Sequence, residues 1–166
     1  MFISSDKAKM LEFVIHSLPV AGGTLAITPM PGRTRHYPAD WLRLIEWRPD
    51  LVLTMTTQAE LDRKGAGTLG ADLANEGVAW LHLPVADYGV PVDLDWPGVH
   101  DQVLAVLRGQ GRVLVHCFGG CGRSGMMALR LMIAAGEDPD AALARLRAVR
   151  PCAVETDSQM VWARQG

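Results

Sequence analysis

The 166-residue sequence has no apolar run near the roughly 20 residues that span a bilayer, so it offers no transmembrane helix and no membrane partner. It has little net charge: sixteen Lys and Arg stand against eighteen Asp and Glu, a balance of −2. That balance gives no electrostatic case for a nucleic-acid binder or a membrane-surface protein. Cysteine is scarce and odd in number, at Cys117, Cys121 and Cys152. Such usage argues against a disulfide-stapled secreted scaffold and for a reducing, cytoplasmic compartment. His16, His36, His82 and His100 lie far apart without metal-ligand spacing, so no metal or other cofactor is expected. No repeat, low-complexity tract or charge block marks a boundary, and the length fits one domain, residues 1–166. Lys7 and Lys9 ahead of the apolar stretch 11–18 faintly echo a signal peptide. Glu12 and His16 interrupt that stretch, and it reads as mature protein.

What is present suits a folded globule. Apolar residues make up 49% of the chain and charged residues 20%, far from the signature of disorder. Thirteen of the basic residues are Arg, the type suited to gripping anions with a bidentate fork. Apolar runs bounded by Gly and Pro predict strands over 24–28, 50–55, 78–85 and 112–116. Helices are predicted over 39–47, 69–75, 98–107, about 124–135, 139–149 and 156–164, with Asp138 and Pro139 as a start signal. Residues 87–97, with two prolines, a glycine and three aspartates, read as a loop. Strands alternating with helices indicate an α/β domain with a central, mostly parallel sheet flanked by helices.

The informative segment is residues 115–125, VHCFGGCGRSG. A buried strand, a glycine-rich turn and a helix start together make an anion site, because successive backbone N–H groups turn inward and the helix adds partial positive charge. A Walker-type nucleotide loop fails for want of its Gly-Lys pair. Gly120-x-Gly122-x-x-Gly125 matches a dinucleotide fingerprint, but two helices follow in place of the parallel strand ending in an acidic residue. The third reading takes Cys117, five intervening residues, Arg123 and Ser124 as one device. A thiol of ordinary pKa, about 8.5, is only a few per cent thiolate at neutral pH, so a nucleophilic sulfur needs surroundings that favour an anion.

This segment resembles the signature of the cysteine-dependent protein phosphatases, His-Cys-x5-Arg-Ser/Thr, with every motif position filled. The resemblance runs from about residue 24 to 159 and implies the phosphatase fold, with loops meeting at the carboxyl edge of the sheet. It implies Cys117 as nucleophile and Phe118, Gly119, Gly120, Cys121, Gly122, Arg123 and Ser124 as the phosphate cradle. Ser124 would also ease departure of the sulfur, and His116 would order the loop. The leaving oxygen needs a proton, and Asp87, Asp93 and Asp95 are the candidate acids. Asp87, at the end of a strand and 30 residues before Cys117, best resembles the family's placement. Residues 84–91, PVADYGVP, and Pro31-Gly-Arg33 look most like the kinase-associated phosphatase group.

Gln159 resembles the family's water-positioning glutamine, against the plainer reading of a surface side chain. Arg33 or Arg35 could border the pocket, and Tyr88 and Trp96 could wall it. Cys121 is expected as a small turn residue, or as a partner for Cys117 under oxidation; Cys152 is expected to pack. Arg145, Arg147 and Arg150 are expected on a solvated helix face. The implied activity is hydrolysis of phosphotyrosine, and also phosphoserine or phosphothreonine, on a protein or peptide. A phosphoinositide or other non-protein phosphatase and a silent phosphate-binding module are the alternatives.

Overall fold

The computed structural model describes residues 12–166; Lys7, Lys9 and the start of the stretch at 11–18 lie outside them. Five strands form one sheet: β1 (His16–Val20), β2 (Gly23–Thr28), β3 (Leu51–Thr54), β4 (Ala79–His82) and β5 (Arg112–His116). Their order is β1-β2-β5-β3-β4, and only the β1–β2 pair is antiparallel. Among the described residues the helices are α1 (Tyr37–Glu46), α2 (Gln58–Arg63), α3 (Leu69–Asn75), α4 (Trp96–Arg108), α5 (Gly122–Ala134), α6 (Pro139–Val149) and α7 (Asp157–Ala163).

Alternation along each central strand feeds two cores. Leu25, Ile27, Leu53, Val113 and Val115 face α4 and α5, whereas Ala26, Val52 and Leu114 face Tyr37, Leu44, Leu61, Leu69 and Leu73. A parallel sheet covered on both faces needs such runs of apolar residues. Helix α5 is buried on nearly every side, eleven of its thirteen residues being buried, so the turn that enters it is rigidly seated.

Two elements were absent from the sequence reading, and several bounds differ. Strand β1 continues the stretch read as a faint targeting echo, and it pairs with β2 through a turn at Ala21 (φ 51°) and Gly22 (φ 88°). Two successive left-handed residues make the tight turn that matches strand twist, and the edge position tolerates Pro19. Helix α2 is six residues long, too short for a periodic pattern, and is announced only by a capping box between Thr57 and Glu60. Helix α4 starts two residues earlier than predicted, since Asp95 caps it and Pro97 lies in its first turn. No helix among the described residues is long and apolar enough to cross a membrane.

Candidate active site

Strand β5 is central, and it delivers His116 and Cys117 to the carboxyl edge of the sheet. The following turn is held from outside by its carbonyls. Phe118 O accepts Met30 N at 3.1 Å, and Cys121 O accepts Gly125 N at 2.9 Å and Val154 N at 3.1 Å. Arg150 donates from Nη2 to Gly119 O at 2.8 Å and from Nε to Gly120 O at 2.9 Å. Because a trans peptide sets its N–H opposite its C=O, outward carbonyls turn the N–H groups of residues 119–122 to the inside. Gly120 (φ 68°) permits this path: a Cβ there would lie 2.6 Å from Pro29 N.

Cys117 is 2% exposed, and its Sγ lies 3.2 Å from Ser124 Oγ in the first turn of α5. Arg123, 1% exposed, donates to both carboxylate oxygens of Glu60 at 2.9 and 2.8 Å and to Val85 O at 2.8 Å. Burial opposes its charge, but the hydrogen bonds to Glu60 and the negative potential of Cys117, Glu60 and Asp87 raise its pKa above the usual value. Burial likewise works against the Glu60 carboxylate, yet Arg123 and the Thr57 amide hold its pKa below the ordinary range. His116 is wholly buried; its Nε2 lies 2.7 Å from Thr54 Oγ1, which also accepts Trp80 Nε1–H at 2.7 Å. Burial pushes the His116 pKa down to about 3, so its ring is neutral at physiological pH.

Of the three loop aspartates only Asp87 reaches this group. Its Oδ1 stands 3.4 Å from Arg123 Nη2 and accepts Tyr88 N at 3.0 Å. Asp95 is spent capping α4 through Gly98 N, and Asp93 lines a separate cavity with His82 and Val85. A cavity of about 350 Å³ opens over the loop, bordered by Arg33, Asp87, Tyr88, Phe118, Gly119 and Glu155 among others. Arg33 and Lys64 stand over the Phe118 ring, 5.2 and 5.8 Å from its centre. Arg35 is exposed and does not border the cavity, and Trp96 packs on Arg130 and Trp162 instead. Gln159 is fully buried, beside the start of α5, and is no surface side chain.

Two cysteine expectations are corrected. Cys121 and Cys152 form a disulfide, and Cys117 is the free cysteine. The pairing joins the turn after β5 to the α6–α7 turn, which the chain folds beneath it from 31 residues away. Arg150 is corrected too: it is 7% exposed and grips the loop rather than facing solvent. Arg147 reaches the same turn, donating to Ala153 O at 2.9 Å and Val154 O at 3.1 Å. Glu60 escaped the sequence reading, and its capping-box spacing after Thr57 was the one available signal.

The comparisons with known proteins agree with this architecture. A family model described as Swiss Army Knife protein, DSP-PTPase phosphatase domain, matches residues 23–165. The human cyclin-dependent kinase inhibitor 3 is 29% identical over 102 residues, 60% of this chain and 48% of that protein. The chain thus spans about half the length of the curated relatives it matches. A crystal structure of kinase associated phosphatase, with its catalytic-site cysteine replaced by serine, superposes with a TM-score of 0.78 at 21% identity. That match covers 92% of this chain and 93% of the other. Tk-PTP in its active form gives a TM-score of 0.70 at 27% identity, over 90% and 95% of the two chains.

Proposed function

The chain belongs to the DSP-PTPase phosphatase domain family, and on that premise we propose that it hydrolyses phosphotyrosine, and also phosphoserine or phosphothreonine, on protein or peptide substrates. One phosphatase domain spanning residues 1–166 is part of the proposal. The observation that carries it is the meeting of Cys117, Ser124, Arg123 and Asp87 around one turn, with the 3.2 and 3.4 Å contacts already given.

In this reading Cys117 attacks phosphorus as a thiolate while the P–O bond to the substrate breaks. Asp87, in its carboxylic form, gives its proton to the departing oxygen. Loop amides and the Arg123 fork hold the equatorial oxygens, where charge gathers. Water then attacks the phosphocysteine, yielding its proton to the Asp87 carboxylate, and Ser124 donates to the sulfur as it leaves. No metal or other cofactor enters this scheme. The loop segment 118–122 carries no basic side chain, which favours a protein phosphomonoester over a polyanionic lipid headgroup.

The test is a rate panel on phosphotyrosine, phosphoserine and phosphothreonine peptides and phosphoinositides, run with chelator. Cys117→Ser abolishes turnover while retaining substrate binding, and Asp87→Asn lowers kcat by about 10²–10⁴. Hydrolysis by Cys117→Ser would remove the covalent route, and rates confined to phosphoinositides would replace the substrate class. A cytoplasmic setting belongs to the same proposal. There Cys121 and Cys152 would be kept reduced, so alkylation of protein quenched in cells should trap three free thiols. Recovery of the disulfide would move the protein to an oxidising compartment.

A further inference from the structure

The loop that carries Asp87 has few directional ties. Across residues 86–93, two hydrogen bonds are internal, Gly89 N to Ala86 O and Tyr88 N to Asp87 Oδ1. Among the described residues, two polar contacts leave the segment. One is Asp87 with Arg123, at the reacting end. The other is Gln159 Nε2–H to Gly89 O, at 3.2 Å. Val90 packs against the core, a contact without direction. Tyr88 (φ 60°) and Asp93 (φ 55°) sit in the left-handed region, so nothing in the backbone's own preferences fixes this path.

The Gln159 carboxamide is committed at both ends. Its Oε1 accepts Glu155 N at 3.0 Å and Thr156 N at 3.2 Å, closing the cap of α7. A carbonyl oxygen has two lone-pair directions, and both are taken. A glutamine that aims a nucleophilic water must accept a hydrogen from it, so this oxygen is unsuited to that task. Space confirms the tight seat: a Cβ on Gly122 would come within 2.9 Å of Oε1 and 3.0 Å of Nε2. Gln159 therefore touches α7, the first turn of α5 and the loop two residues beyond Asp87.

We propose that Gln159 is a positioning residue, whose Nε2–H latches Gly89 and so holds Asp87 over the sulfur, rather than a holder of the hydrolytic water. This rests on the reading of Asp87 as the acid. The latch acts in the first chemical step, where the leaving oxygen takes its proton.

Two variants separate latch from cap. Gln159→Glu keeps an oxygen to cap α7 but, as a carboxylate, has no hydrogen for Gly89; Gln159→Ala loses both. The readout is kcat/KM, which covers only the steps through phosphocysteine formation, on phenyl phosphate and on 2,4-dinitrophenyl phosphate. The dinitrophenolate leaves without a proton; the phenolate does not. We expect kcat/KM on phenyl phosphate to fall by about tenfold to a hundredfold in both variants, the scale of an ångström's misplacement. On 2,4-dinitrophenyl phosphate it stays within about twofold of wild type, as in Asp87→Asn. Equal losses on the two substrates, or none, would overturn the latch. So would unchanged kcat/KM with a lowered kcat and a burst of phenol, which marks slow hydrolysis of the phosphoenzyme. A latch that fails leaves wild-type hydrolysis intact, whereas an inactive wild type removes the phosphatase reading itself.

Discussion

His116 shows how one buried side chain beside Cys117 makes stability depend on pH. Trp80 Nε1–H donates to Thr54 Oγ1, and the same hydroxyl pairs with His116 Nε2, both at 2.7 Å, with Thr54 and His116 fully buried. Burial keeps the ring neutral, its pKa depressed to about 3 from 6.5. The unfolded chain binds this proton below pH 6.5 and the folded one does not. Stability is therefore full above pH 6.5 and declines as pH falls from 6.5 toward 3. The slope from this group is at most about 1.4 kcal/mol per pH unit. His16, half-buried with its pKa also lowered, chiefly by burial and then by Arg150, adds a slope of the same sign. Denaturant unfolding of wild type and His116→Asn between pH 7 and 4 isolates the first term as the difference. Parallel curves would show that the ring accepts a proton in place. At this scale the sequence was legible where partners are close in the chain: Cys117, Arg123 and Ser124 share one turn. Arg150 was not, because its partners lie 31 and 30 residues away and its helix looks amphipathic with any Arg on the wet side.

At the scale of elements, the long apolar strands and capped helices were readable from periodicity, and α2 was not. Six residues make less than two turns, and tertiary contact sets them. Yet α2 supplies Glu60, whose carboxylate receives Thr57 N at 2.8 Å and one hydrogen bond from each terminal nitrogen of Arg123. The element is thus a bracket between β3 and the turn after β5, and the spacing of 63 residues between Glu60 and Arg123 left no local trace. Removing one partner of a buried pair strands the other charge. Glu60→Ala should therefore cost about 3–5 kcal/mol in denaturant unfolding. It should also weaken vanadate binding, since Arg123 would keep Val85 O but lose the support that aims its fork. A variant as stable as wild type, binding vanadate as tightly, would show that the bracket is idle. Strand β1 was hidden for a different reason: an edge strand with alternating exposure, carrying Pro19, has too short a pattern to stand out beside an apolar N-terminal stretch.

Across the whole molecule, the parallel sheet collects distant segments at one edge, and the site needs that convergence. Its parts come from α2, the loop after β4, the turn after β5 and the α6–α7 turn, which reach one another only when the chain has closed. The Cys121–Cys152 disulfide fixes the last of these junctions covalently, alongside the Arg150 bonds to Gly119 and Gly120 and the bond from Val154 N to Cys121 O. Cysteine counting could not find it, because an odd total in a chain of this size argues for free thiols, and pairing depends on which turns meet. A cross-link spanning 31 residues limits the unfolded ensemble by about 3–4 kcal/mol in the chain-entropy account. Reduction should therefore lower the unfolding free energy of the wild-type protein by that amount, and its denaturant midpoint by that amount divided by the m-value. Cys121→Ser/Cys152→Ser should match the reduced protein and show no response to reductant. Cys117→Ser, which leaves the pair intact, should respond as wild type does. Unfolding curves of the three proteins with and without a dithiol settle the point: a midpoint that ignores reductant in wild type would mean that the hydrogen bonds alone seat the loop.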